Sequence, residues 1–234
     1  MRLPTAQLLL AVTLGFFPGA AIAQTVTLDE GTFRILVGGR EVGTESFSMR
    51  RSGSGPSSVI IARGTIVIDT TGTAEEIVAS LQAAGATLRP SAYEVTIRGR
   101  DSERIAGRVV GGRFSARIRS PAGEQMREYL ASDGAVLVDE GIVHHHYFIA
   151  RRAADAPVRI PIIIPRLSRQ VSAEVTARGQ ERVAVGGGTV EARHLVVTLA
   201  GAPERHLWVD AEGRVLRLEI PSSGFVAHRT TPPR

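Results

Sequence analysis

Tyr93-Glu94-Val95-Thr96-Ile97-Arg98 carries the plainest structural signal in the sequence. Apolar side chains stand at 93, 95 and 97, polar ones at 94, 96 and 98. A β-strand turns successive side chains to opposite faces, so this alternation marks a strand with one buried and one wet face. The period recurs downstream, where Phe114, Ala116 and Ile118 alternate with Arg113, Ser115, Arg117 and Arg119. Upstream, Phe33, Ile35 and Val37 alternate with Thr32 and Arg34. Gly38-Gly39 then leads into the extended stretch Val42–Arg50, which predicts a hairpin with the glycines at positive φ. Gly53-Ser54-Gly55-Pro56 reads as a loop, and Val59–Ile68 as a β-branched, buried strand.

Residues 73–88 carry two patterns. Ala74 to Ala84 holds good helix formers, yet Ile77, Ala79 and Leu81 alternate, and the flanking strands favour a strand here too. Asp139–Arg152 breaks the rhythm: Ile142, Val143, His146, Tyr147 and Ala150 recur at helical spacing. Asp139 suits the N-cap and Arg151-Arg152 the C-terminal end, so a helix is predicted over 139–152. Val158–Pro165 returns to strand, at an edge or bulge because of its two prolines. Val171–Ala177, Arg182–Val185, Val190–Leu199, Arg205–Val209 and Val215–Ile220 follow, with turns at Gly186-Gly187-Gly188 and Asp210-Ala211-Glu212-Gly213; Thr230–Arg234 is expected to fray. The fold class expected is mainly β: an antiparallel meander curled into a half-barrel or closed barrel, with one short helix near residues 139–152. Residues 24–229 form its single domain, since no repeat or long linker divides them.

Residues 1–23 read as a secretory signal. Arg2 gives the positive end, Leu8–Phe17 the apolar run, and Ala21-Ile22-Ala23 the small-x-small cleavage site. Pro18-Gly19 ends the apolar run well short of the roughly 20 residues that a membrane span needs. An exported protein is expected, with the periplasm as its compartment and no transmembrane segment in the mature chain. Its 234 residues include no cysteine, which excludes a disulfide scaffold and Cys-ligated metals. The sequence pI is about 10.7 and the formal charge +5, but all 28 basic residues are arginine; lysine and asparagine are both absent, the mark of a GC-rich genome. The charge is also uneven. Residues 24–234 hold 27 arginines and 23 acids, whereas residues 98–127 hold eight arginines and three acids.

Three stretches together resemble a known group: Gly31-Thr32-Phe33-Arg34-Ile35 with Gly39-Arg40-Glu41-Val42-Gly43, then Leu88–Val95, then Leu207-Trp208-Val209-Asp210-Ala211-Glu212-Gly213-Arg214-Val215-Leu216-Arg217-Leu218. Their order resembles bacterial exported proteins of unknown function of the DUF3108-like or DUF6134-like type. The resemblance implies a curled antiparallel sheet similar to the LolA-like lipoprotein-carrier half-barrels, and transfers no active site.

The arginines are the main candidates for chemistry. Arg113, Arg117 and Arg119 project from one strand face and, with Arg98 and Arg108, could meet an anionic headgroup, since guanidinium binds phosphate bidentately. A lipid or lipopolysaccharide phosphate is the partner this suggests; the ordinary reading is a solvated outer face. A protein partner docking on the Val158–Pro165 edge or the arginine face is the alternative, and an envelope hydrolase the third. Nucleic acid is excluded by compartment and by the scarcity of stacking aromatics. His144 and His146 would share a face on a strand and could chelate zinc with Asp139, Glu140 or His194, but helical geometry sets adjacent positions about 100° apart and defeats the pair. Gly53-Ser54-Gly55 lacks the spacing of a nucleophile elbow, Asp139-Glu140 and Asp210/Glu212 read as a cap and a turn, and no lysine or helix follows Gly186-Gly187-Gly188. No enzyme signature and no cofactor are therefore expected. Trp208 reads as a buried anchor; Leu36, Val59, Ile61, Ile66, Ile68, Ile162 and Ile164 would line either a packed core or a lipid cavity.

Overall fold

The structure, a computed structural model, describes residues 25–70 and 72–234. The expected leader at 1–23 lies outside them. The first meander runs through β1 (Thr25–Val37), β2 (Arg40–Ser52), β3 (Val59–Ile68), β4 (Glu75–Ala84), β5 (Pro90–Arg98), β6 (Glu103–Val110), β7 (Arg113–Ser120) and β8 (Gly123–Leu130). After the two-residue β9 (Val136–Leu137) and α1 (His146–Ala150), a second meander follows. It comprises β10 (Val158–Ile164), β11 (Arg169–Val185), β12 (Gly188–Leu199), β13 (Arg205–Val209), β14 (Val215–Ile220) and β15 (Phe225–Arg229). One sheet takes up all fifteen strands in the order β8 to β1, then β15 down to β9. Every pairing is antiparallel except β9 with β10.

Two features turn this ribbon into a barrel-like shell. First, β1 pairs with β15, Phe33 opposite Arg229 through Val37 opposite Phe225, which sutures the two meanders. Second, the chain crosses from one sheet edge to the other in six residue steps, Leu130 to Val136, so the edges stand no more than about 20 Å apart. The ring is not closed by a strand ladder. Instead the Gln170 side chain bridges it: its Oε1 accepts from Leu130 N–H at 2.9 Å and its Nε2 donates to Leu130 O at 2.7 Å.

The interior is packed. Val136–Ala150 runs through the shell as a plug, buried throughout except at Glu140 and Gly141, and it joins residues from both meanders in one core. Asp139 is not a helix cap. Its carboxylate accepts from the Tyr93 hydroxyl at 2.6 Å and from the N–H of Arg166 and of Glu140, each at 3.0 Å. Gly141 takes φ +73°, outside helical space, and so the helix expected over 139–152 shortens to His146–Ala150. Residues 75–84 resolve as strand because Ile77, Ala79, Leu81 and Ala83 all face the plug side and are buried. Ile66, Ile162 and Ile164 are core residues, whereas Ile61 shares the outward phase of Arg63, and Ile60 takes the inner place. The tail expected to fray is held: Thr230 N–H donates to Thr32 O at 2.9 Å, and Arg214 Nη1 donates to Arg234 O at 2.5 Å.

One contact fixes how close the plug lies to the wall. The His144 ring packs over Gly64, where a Cβ would stand 2.6 Å from its Cε1. The ring cannot retreat, because Nδ1 is held by Glu45 at 2.8 Å. Gly64→Ala should therefore lower unfolding free energy in urea by about 1–3 kcal/mol. Gly188→Ala, whose Cβ would meet nothing nearer than 3.7 Å, should stay within about 0.5 kcal/mol of the parent.

Candidate functional site

Strand register decides which arginines meet. On the outer face, Ser80 lies opposite Arg63 and Glu94, Ala106 opposite Glu94 and Arg117, and Met126 opposite Arg117. Flanking rows set Arg104 opposite Arg119 and Arg108 opposite Ser115. The small residues Ser80, Ala92, Ala106 and Ser115 leave a trough of about 1040 Å³, which Arg63, Arg104, Arg108, Arg117 and Arg119 line together with Glu94. Five arginines and one glutamate line it.

The arginines singled out from the sequence divide. Arg108, Arg117 and Arg119 meet in the trough. Arg98 and Arg113 lie outside its lining: Arg98 is bound to Glu76 at 2.6 Å, and Arg113 stands 3.8 Å from Glu128. Arg117 and Arg119 share Glu124 at 3.2 and 2.6 Å, and the Arg119 hydrogen bond, opposed by slight desolvation, holds that carboxyl below its usual range. Such exposed pairs are worth little and exchange readily. Arg63, Arg104 and Arg108 form no ion pair among the described residues. Arg63 sits thirty-odd residues upstream of the basic window. Its outward phase on β3 was the signal for it, visible only once β3 lay two strands from β5.

The histidine triplet lies in the plug, not at a surface. Glu45, on the inner face of β2 and wholly buried with His144, accepts from Val143 N–H at 2.7 Å, from His144 N–H at 2.8 Å and from His144 Nδ1 at 2.8 Å. His145 Nδ1 accepts from Asp139 N–H at 3.3 Å. His146 Nδ1 donates to Val143 O at 3.0 Å, leaving Nε2 to accept from Arg205 at 3.2 Å. His144 and His146 thus hold different partners, and among the described residues no group of three or more His, Asp or Glu is placed to hold a metal ion. The carboxylates beside histidines include this dry Glu45 pair and an outer-face chain, Glu181–His194–His206–Glu204, linked at 2.7, 3.0 and 3.0 Å. No serine hydroxyl hydrogen-bonds a histidine among the described residues. Trp208 is buried against His194, stacked at 4.5 Å, with Arg217 over its ring and its Nε1–H donating to Glu181 at 2.7 Å.

A second, smaller concavity of about 250 Å³ opens at one end of the shell. Apolar residues of β1, β3, β4 and β14 wall it, and Arg205, Arg166, His146, Glu140 and Glu75 provide its charged and ionisable side.

No family model matches the chain, and no curated protein matches it in sequence. Among solved structures, the crystal structure of a β-barrel-like protein of the domain of unknown function DUF1849 from Brucella abortus is similar. It shares 8% identity, a TM-score of 0.51, and coverage of 91% of this chain and 98% of that one. A DUF1089 family protein from Pseudomonas aeruginosa aligns at 16% identity and a TM-score of 0.46, over 76% of this chain and 90% of that one. The first likeness shows the fold, a barrel-like shell, over nearly the full length of both chains with almost no shared sequence.

The buried titratable groups set a pH dependence. Burial, with neighbouring imidazoles, pushes His145 well below 6.5; burial, Arg205 and His144 push His146 down to about 3. Both fold neutral, so their contribution to stability is complete above pH 6.5 and is lost as pH falls toward 3. Asp139 works oppositely. Burial raises it to about 6 against its hydrogen bonds, so its contribution is complete below 3.8 and is lost as pH rises through 6. Between pH 6 and 4 the two plug histidines oppose the one plug carboxyl, and stability falls on acidification. Urea unfolding should show the midpoint falling from pH 6.5 to 4, with a flatter profile in His145→Leu. A level parent profile would refute the assignment.

Proposed function

We propose that this protein is an exported, non-enzymatic cell-envelope protein that binds an anionic, phosphate-bearing ligand, a lipid or lipopolysaccharide headgroup, on its outer arginine trough. The reading rests on one observation above the others: Arg63, Arg104 and Arg108 stand in the trough with no ion pair among the described residues, beside Arg117 and Arg119, which share a single exposed glutamate. Guanidinium forks match phosphate oxygens bidentately, and a trough of this size suits an extended headgroup. The export leader expected at residues 1–23 places such a protein beside that chemistry. Long acyl chains find no matching space in the packed core; they would stay in the membrane while the headgroup meets the arginines.

The second reading, a docking surface for an envelope protein, is favoured by β8. That strand pairs with β7 alone, Gln170 holds its backbone at Leu130, and Met126, in the part left uncovered, is 55% exposed. An open edge of this kind accepts an added strand. The edge near Val158–Pro165 is less open, because β9 covers Ile162 and Ile163.

Sedimentation with vesicles carrying an anionic phospholipid, beside vesicles of neutral lipid alone, tests the first reading. Binding should require the anionic lipid and weaken with salt. The double variant Arg104→Gln/Arg108→Gln should lose about tenfold in affinity, whereas Arg98→Gln, already paired with Glu76, should change it less than about twofold. Equal binding to neutral vesicles, or equal loss in the two variants, would overturn it.

A further inference from the structure

We propose that the 250 Å³ concavity at the end of the shell is a second and separate binding site, for a short aliphatic carboxylate held by Arg205. At the ~30 Å³ a water molecule occupies in the liquid, that volume corresponds to roughly eight non-hydrogen atoms, the size of a six-carbon acid. Ile35, Ile68, Ile77, Leu218, Ile220 and Phe225 supply an apolar wall for the chain. No part of the outer trough contributes to it.

Arg205 supplies the head-group contact. It lies on the inward phase of β13 with Leu207 and Val209, and its side chain is 5% exposed. A guanidinium so buried needs its donors satisfied. Nη1 is satisfied by the neutral His146, whose Nε2 accepts at 3.2 Å while its Nδ1 is fixed on Val143 O. The Nε/Nη2 edge, the face that takes a carboxylate with two parallel bonds, is only half used. Glu140 Oε2 sits on Nη2 at 3.1 Å, and Nε is buried with no acceptor among the described residues. Glu140 is 42% exposed, so it can swing aside at little cost. A ligand carboxylate taking both donors replaces one bond with two. Its chain then lies over the isoleucines. Arg166, on the same side, is 3.7 Å from Glu75 and donates to Glu140 O at 2.9 Å, which holds the plug turn beside Arg205.

The test is a titration of ¹⁵N-labelled full-length protein with hexanoate, hexan-1-ol and inorganic pyrophosphate, followed at the arginine Nε–H resonances. Hexanoate should saturate in the millimolar range and move the Arg205 Nε–H. Hexan-1-ol should bind about tenfold more weakly, and pyrophosphate should move trough arginines instead. Glu140→Gln, which removes the competing carboxylate, should tighten hexanoate several-fold. Ile220→Trp, which puts a larger side chain on the apolar wall, should abolish binding, and Arg205→Gln should do the same. The proposal is overturned if hexanoate fails to saturate both parent and Glu140→Gln, if hexan-1-ol binds equally well, or if Ile220→Trp binds unchanged. None of these results depends on the trough, whose vesicle assay reads different residues.

Discussion

A single buried carboxylate holds the interior of this protein together. Glu45 projects from β2 into the shell and gathers the N–H groups of Val143 and His144 and the Nδ1 of His144. Those donors belong to the turn that leads into α1, where backbone groups have no ladder to join. Without an acceptor they would be orphaned in a dry core, at a cost that the packing alone would have to meet. With it, the plug is pinned about a hundred residues away in sequence from the strand that holds it. Gly64 completes the arrangement by leaving room for the His144 ring. Everything the plug positions, including Asp139 under Tyr93 and His146 under Arg205, follows from that anchor.

The shell has its own fastening. Arg229 on β15 meets Asp29 on β1 through two bonds, 2.9 and 2.7 Å, and adds a third to Glu30 O at 2.7 Å. Both residues are buried, so a bidentate pair with extra acceptors is the geometry that makes their desolvation tolerable. Burial nevertheless lifts the Asp29 carboxyl above its ordinary value, opposed by the Arg229 hydrogen bond. The pair spans 200 residues and lies where the two meanders join. It gives register to a suture that hydrophobic alternation on its own leaves free to slide by two residues. The opposite seam is looser, closed by one glutamine amide rather than by a ladder.

Much of the fold is legible in the sequence, and the reason is periodicity. Strands such as 93–98 and 113–119 present alternating faces whatever lies on them, and glycine pairs such as Gly38-Gly39 force the turns between. The 139–152 segment misleads for an equally physical reason. Its apolar stripe is genuine, but all its faces are covered by the shell, so burial no longer requires a helix, and Gly141 and the Asp139 hydrogen bonds divert the chain. A finer signal was available. Asp29, Glu45, Arg205 and Arg229 each occupy an inward phase among apolar neighbours, as in Arg205-His206-Leu207-Trp208-Val209. A charge out of phase with its surface marks a buried polar contact, and these four residues make the contacts on which plug, suture and end cavity rest.

The sequence by itself determined the mainly β class, many of the strands and turns in their chain order, and the concentration of arginine in residues 98–127. All are local properties: side-chain alternation, turn chemistry and charge density are written over a few residues and survive in any arrangement of the strands. Which arginines share a trough, whether the barrel is hollow, and what Glu45 and Arg205 touch were decided only by tertiary structure. Those outcomes depend on strand register and on contacts between residues 59 to 200 positions apart. The chain's local pattern carries no record of such distances; the curled shape of the shell, and the plug that fills it, create them.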